Sequence, residues 1–270
     1  KDEPDMTIQL YSEGANASFV CGDFETMGRL IDEVLAKDIS IEAKFRCYDV
    51  KIHALTAASD WAPIIDIGMD VRRQLGQSVM RNKPVPLWKI MKEYRKTDRM
   101  LKKVTTDDIA TMPQLKDKKV IMGQLIMERI LQAVYHAQPT MMPIIVFNMV
   151  QTSIRNGNNA SACIAFASMA MLYQCVFGNP SKASDLVVVT DQLLNSPDVQ
   201  EAGRVKALSI QKCYCFVHHW HSPIQQTLAP FIEGYQAALF SGDTEAAGYT
   251  LSSRSLHLFS AGRPLPALQH

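Results

Sequence analysis

No stretch of this 270-residue chain is an apolar run of membrane-spanning length. The longest near-continuous one, Ala162 to Phe177, is shorter than the ~20 residues a spanning helix needs. Ser168 and Gln174 interrupt it, so it predicts a buried helix and no membrane span. Net charge is nearly absent too. There are 28 Lys and Arg against 27 Asp and Glu, which leaves no overall pull toward nucleic acid or an acidic membrane. The first residues show no signal-peptide pattern, and the six cysteines (Cys21, Cys47, Cys163, Cys175, Cys213, Cys215) fall mostly within apolar helical patterns. That combination predicts reduced, buried thiols in a cytoplasmic protein. Strand signals are scarce. Leu186 to Val189 has strand propensity, but it is short, isolated between helix signals, and reads as helix.

What the chain does have is 47% hydrophobic and 20% charged residues, the balance of a folded protein. Its organising stretch is Gly203 to Pro264, where apolar helical segments meet at short joins. At the first join, Ser222, Pro223 and Gln225 have a capping-box spacing with Pro at the first helical position. At the second, Gly242 can close one helix in the left-handed conformation and Asp243 can open the next. The last segment ends at Gly262-Arg263-Pro264.

The same chemistry recurs near the other end. Gly22-Asp23-Phe24 separates two helical patterns, and Ser59-Asp60-Trp61 does so again 37 residues later. That period is near the ~34 residues of a tetratricopeptide repeat. Helices are read at 6–21, 41–58, 87–103, 118–136, 141–155, 160–177, 183–195, 199–220, 223–241 and 244–261. Two more, with stripes Met27, Leu30, Ile31, Val34, Leu35 and Ile64, Ile65, Ile67, Val71, Leu75, complete the first two hairpins. One hairpin cannot bury both apolar faces alone, whereas stacked hairpins share a continuous core. The expected fold is therefore all-α, a tetratricopeptide-like right-handed helical-repeat solenoid of roughly six to seven hairpins. Residues 1–76 form its N-terminal hairpins, 77–117 a basic helix-and-loop insertion, and 118–270 its C-terminal hairpins. The chain opens at Lys1-Asp2-Glu3-Pro4 without an initiator Met and ends just past Pro264 and Pro266; a fragment of a longer protein is expected.

These residues carry a resemblance. Arg204-Val205-Lys206-Ala207-Leu208, Phe216-Val217-His218-His219-Trp220, Pro223, Gly234 to Leu239 and Gly242 to Tyr249 look like the tetratricopeptide-like helical region of very large multidomain signalling proteins. Leu115 to Val120, Asn148-Met149-Val150 and Ser153 to Gly157 resemble its middle section. Ile65, Gly68, Val71, Leu75 and Gly76 match a further hairpin of it. Such proteins carry, in order, a serine/threonine-kinase-like domain, an AAA-type predicted ATPase and this helical region, followed by a GAF sensor and often a histidine kinase. The resemblance implies a non-catalytic scaffold for protein–protein or interdomain contact in signal transduction. It lies in packing and turn residues. The chain has no Gly-rich loop ending in Lys-Ser/Thr and no kinase catalytic loop, and Gly22-Asp23-Phe24 shares only the letters of a metal-binding Asp-Phe-Gly. ATPase or kinase activity would belong to domains outside this segment.

Two constellations offer rival chemistry. Cys215 and His219 are four apart and would share a helical face, a spacing suited to a metal. Cys213 lies about 200° from Cys215 around that helix and cannot join them. The rival function is a metal-dependent all-α enzyme; packing is the simpler role. The segment from Arg81 to Lys119 holds twelve Lys and Arg against five Asp and Glu. Within it, helix 87–103 carries Lys89, Lys92, Arg95, Lys96, Arg99, Lys102 and Lys103. It would suit phosphate backbones or an anionic membrane, or equally a solvated face or a dock for an acidic neighbour. Only Trp88 and Tyr94 interleave aromatics there, fewer than a single-strand reader needs. The expectation is protein partners, no nucleic acid, no cofactor, and no catalytic or metal-binding residue.

Overall fold

The computed structural model describes residues 3–80, 83–196, 199 and 203–264. The start of the basic stretch at Arg81, most of 199–202 and the terminal Pro266 lie outside the described residues. Among those described there are thirteen α-helices and no β-strand. They are α1 (Glu3–Val20), α2 (Phe24–Leu35), α3 (Ile41–Ala57), α4 (Trp61–Gln74), α5 (Leu87–Leu101), α6 (Thr106–Ala110), α7 (Lys118–Ala137), α8 (Met142–Asn156), α9 (Ala160–Cys175), α10 (Pro180–Leu194), α11 (Gly203–Phe216), α12 (Leu228–Phe240) and α13 (Thr244–Ser260). The all-α expectation holds, and Leu186 to Val189 is helical within α10.

The recurring turn has one hydrogen-bond scheme. After α1, Gly22 takes φ +76°. The Asp23 N–H then bonds back to Ser18 O at 2.8 Å and the Gly22 N–H to Phe19 O at 3.0 Å. This satisfies carbonyls that a helix end leaves orphaned. The Asp23 carboxylate accepts from the Thr26 N–H at 3.0 Å and opens α2. Gly242 (φ +75°) and Asp243 repeat this between α12 and α13, with Asp243 accepting from Ala246 N at 2.8 Å. Between α3 and α4 the backbone bonds are the same, Asp60 N to Leu55 O at 2.9 Å. There the left-handed position is Ser59, at φ +56°, and Asp60 makes no side-chain cap. A serine in that conformation carries about 1 kcal/mol of strain that glycine does not. Ser59→Gly should therefore raise the thermal midpoint by a few degrees, read by circular dichroism.

The Ser222-Pro223-Gln225 capping box does not form. Helix α11 stops at Phe216, His218–Trp220 and Ile224–Thr227 are 3₁₀ turns, and α12 begins only at Leu228. The second 3₁₀ turn is closed by Thr227, whose hydroxyl donates to Ile224 O at 2.7 Å and lies 2.7 Å from Nδ1 of His257.

The chain divides into two compact units. The first comprises residues 1–87 and 116–145, the second 88–115 and 146–270, with the division falling inside α8. Of the segments read from sequence, 77–117 supplies α5 and α6 to the second unit, and α7, at the head of 118–270, belongs to the first.

In the first unit α1 packs on α2 and α3, α2 on α3, α3 on α4 and α7, and α4 on α7. Ile8, Ala15, Met27, Ile31, Val34, Cys47 and Val50 form one buried cluster. Gly68 lets α4 and α7 approach closely: a Cβ there would lie 2.4 Å from Cγ2 of Ile130. In the second unit α9 packs on α10 and α11, α11 on α12 and α13, and α12 on α13. Every residue of α9 from Ser161 to Ala170 is buried, as the apolar run predicts. Burying Phe166, Met169 and Ile164 fully contributes about 2–3 kcal/mol each.

Candidate functional site

One polar part of the second unit's interior lies beside α5. Ile90, Tyr94, Thr97, Asp98 and Leu101 follow at three- and four-residue steps, so one side of the helix turns inward. Ile90, Thr97 and Asp98 are buried. The Tyr94 ring stacks on Phe177, with centroids 3.9 Å apart, and meets Tyr173 edge-on. Gln151 of α8 donates to the Thr97 hydroxyl at 2.9 Å and to Oε2 of Glu93 at 3.3 Å, and Arg155 donates to the side-chain Oε1 of Gln151 at 3.3 Å.

Asp98 is the centre of this arrangement. Its Oδ1 accepts from the Tyr173 hydroxyl at 2.7 Å and from Nζ of Lys182, and its Oδ2 pairs with Nζ of Lys102 at 3.2 Å. The Lys182 ammonium also sits over the Tyr173 ring, 5.3 Å from its centroid. Burial works against ionisation of Asp98, but the hydrogen bonds from Lys182, Tyr173 and Lys102 prevail and hold its carboxyl below the ordinary 3.8. Burial, then the bond to Asp98, push the Tyr173 phenol far above its usual range. A cleft of about 260 Å³ opens beside the cluster, also lined by Thr105, Thr106, Ile109, Asp185 and Leu186. The carboxylate is occupied by three donors, so the group works as a clamp joining α5 to α9 and α10.

That assignment has a pH signature. A carboxylate whose folded pKa lies below its unfolded one adds stability fully above the ordinary range, and the contribution fades as pH falls through the folded value. Asp98→Asn should cost about 2 kcal/mol at pH 7. The gap to wild type should close as pH drops below 3.8, measured by urea denaturation across that range. An unchanging gap would mean the charge is not what holds the clamp.

The other side of α5 faces out. Lys89, Lys92, Arg95, Lys96, Arg99, Lys102 and Lys103 are all exposed, as is Trp88 at 68%. The structure thus gathers the whole basic set read from sequence on one helix and its closing turn.

Cys215 and His219 end up in different elements. Cys215 lies in the last turn of α11 and His219 in the following 3₁₀ turn, so the α-helical four-residue register between them is lost. Burial raises the Cys215 thiol, against a hydrogen bond with Ser253. Nδ1 of His219 is 3.4 Å from Tyr214 O, and its ring meets His257 at 5.2 Å. Burial, then the neighbouring His219, hold His257 below the usual histidine range. Among the described residues no three or more His, Cys, Asp or Glu side chains converge to hold a metal.

Sequence reading passed over the clamp, although its signal was present: Asp98 stands four residues after Tyr94, on the apolar side of an otherwise amphipathic helix. It also passed over Asp191, whose carboxyl burial pushes up to about 6, where Tyr214 donates to it at 3.5 Å. Comparison with protein-family models, with curated proteins and with solved structures finds no match for this chain.

Proposed function

We propose that this chain is a non-catalytic helical-repeat scaffold, a tetratricopeptide-like right-handed solenoid that mediates protein–protein or interdomain contacts in a cytoplasmic multidomain signalling protein. The observation that carries the reading is the order of helix packing. In each unit, alternate helices of the stack touch both their neighbour and the next but one: α1 with α2 and α3, α3 with α4 and α7, α9 with α10 and α11, α11 with α12 and α13. This is how stacked hairpins share a core. The shared backbone closure at the Gly-Asp and Ser-Asp turns, with Asp23 and Asp243 also capping the next helix, supports it.

On this reading the chain couples an ATPase or kinase-like domain to downstream sensor and kinase domains, and its chemistry is recognition. The test is direct. Domains encoded beside this segment in the full reading frame would be produced separately and titrated with the chain by calorimetry. Binding of at least one in the micromolar range is expected. A reading frame without kinase or ATPase motifs, or flanking domains that ignore the chain, would end this reading.

A further inference from the structure

The outward side of α5 has a charge pattern that the clamp does not use. Trp88, Lys92, Arg95 and Arg99 succeed one another at steps of three or four residues, about one helical turn, with Lys96 beside Arg95, and Lys102 and Lys103 extend the row in the closing turn. At 1.5 Å per residue, Trp88 to Arg99 is a row about 16 Å long within an arc of about 100°. Lys96 is shared with Glu93 at 3.4 Å and Lys102 with Asp98 at 3.2 Å. Among the described residues, Lys92, Arg95, Arg99 and Lys103 form no ion pair. Like charges at these steps repel one another along the helix. The Asp98 clamp and the Tyr94–Phe177 stack nevertheless hold this helix in place on the second unit, so the row is presented already formed.

We propose that this face docks an acidic amphipathic helix of another protein domain. Its Asp and Glu residues would recur at the same three- and four-residue steps, and an apolar side chain at one end would cover Trp88. Charge complementarity selects the class of partner. A straight row at helical steps matches the carboxylate row of a second helix, and an exposed Trp at its end is the usual anchor of a protein interface. A nucleic acid fits less well. Tyr94 is turned inward, so Trp88 alone offers a ring for bases to stack on. A membrane fits less well too, because every exposed side chain from 89 to 103 is basic and none between them would insert into lipid.

The proposal rests on the scaffold reading for the partner being a protein. A dye-labelled helical peptide with Glu at every third or fourth position and a Leu at one end would be titrated by fluorescence anisotropy. Wild type is expected to bind it at low salt, with at least a tenfold loss between about 50 and 500 mM salt as screening shortens. The charge reversal K92E/R95E/R99E should abolish binding, the milder K92Q/R95Q/R99Q should weaken it at least tenfold, and Trp88→Ala severalfold. All four positions are exposed, so circular dichroism should be unchanged. Undiminished binding by the neutralised variant would overturn the proposal. So would tighter binding of a charge-matched oligonucleotide or of phosphatidylserine vesicles. If flanking domains bind the wild-type chain and bind the reversed variant equally well, this proposal falls and the scaffold reading stands. If none binds wild type, the scaffold reading falls first.

Discussion

Gly157→Ala is expected to destabilise the second unit by about 4 kcal/mol, among the largest single-residue effects in this protein. Gly157 follows the last turn of α8 at φ +98°, where a side chain is strained whatever the space. Space is lacking as well: a Cβ would lie 2.0 Å from Pro113 O. That carbonyl accepts the Asn158 N–H at 3.0 Å, and the Leu115 N–H returns to Asn158 O at 2.8 Å. The Asn158 side chain adds a bond to Ile109 O at 2.6 Å. An alanine therefore combines about 1–2 kcal/mol of backbone strain with disruption of bridging bonds worth about 1 kcal/mol each. Gly178 is the internal control. It too has positive φ, +59°, but nothing lies within 4 Å of its missing Cβ. Gly178→Ala should cost only the strain, about 1 kcal/mol. Chemical denaturation of both variants measures the difference, and equal losses would show that the approach of residues 113–115 to 157–158 contributes nothing.

Arg129→Met should cost the first unit about 3–5 kcal/mol. Nε of Arg129, on α7, donates to Oδ1 of Asp49, on α3, at 2.8 Å, and the two side chains are 13% and 8% exposed. Arg46 reaches Asp49 only at 3.8 Å from a half-exposed position. Methionine fills much of the arginine's volume but leaves a buried carboxylate short of its principal partner. The penalty comes from that stranded charge more than from the lost attraction. The double variant Asp49→Leu/Arg129→Met should accordingly recover most of the stability, since an apolar pair of similar size needs no desolvated charge. A thermodynamic cycle over the four proteins tests this. If the double variant is as unstable as the sum of the singles, the two residues act separately.

What could be read from the residues alone was whatever the chain encodes locally. The joins at Gly22-Asp23 and Gly242-Asp243 were legible because left-handed backbone and N-terminal capping each favour one residue type. The helices between them were legible from apolar spacing. Where local cues compete, the reading slipped. The helix through Cys215 and His219 was drawn four residues too long at its C-terminal end, because apolar Val217 and Trp220 continue the pattern while the backbone tightens into 3₁₀ turns. The supposed metal pair depended on that extension. Partnership between distant elements was not legible. An apolar stripe on α4 does not say that α7 covers it, nor does Asp49 name an arginine eighty residues on. The basic row on α5 was visible at once, since charge repeated at helical steps needs no tertiary information. Its rigid support, Asp98 with Tyr173 and Lys182, joins residues 75 and 84 apart.

The path of the chain has a consequence for biosynthesis. Helix α4 buries Ile64, Ile65 and Met69, and its partner α7 follows only after α5 and α6 have been made. While α5 and α6 leave the ribosome, the first four helices wait with one apolar flank unmatched. Translation up to Ala137 is needed to close it. That interval is when the nascent polypeptide is most exposed to chaperones and to aggregation.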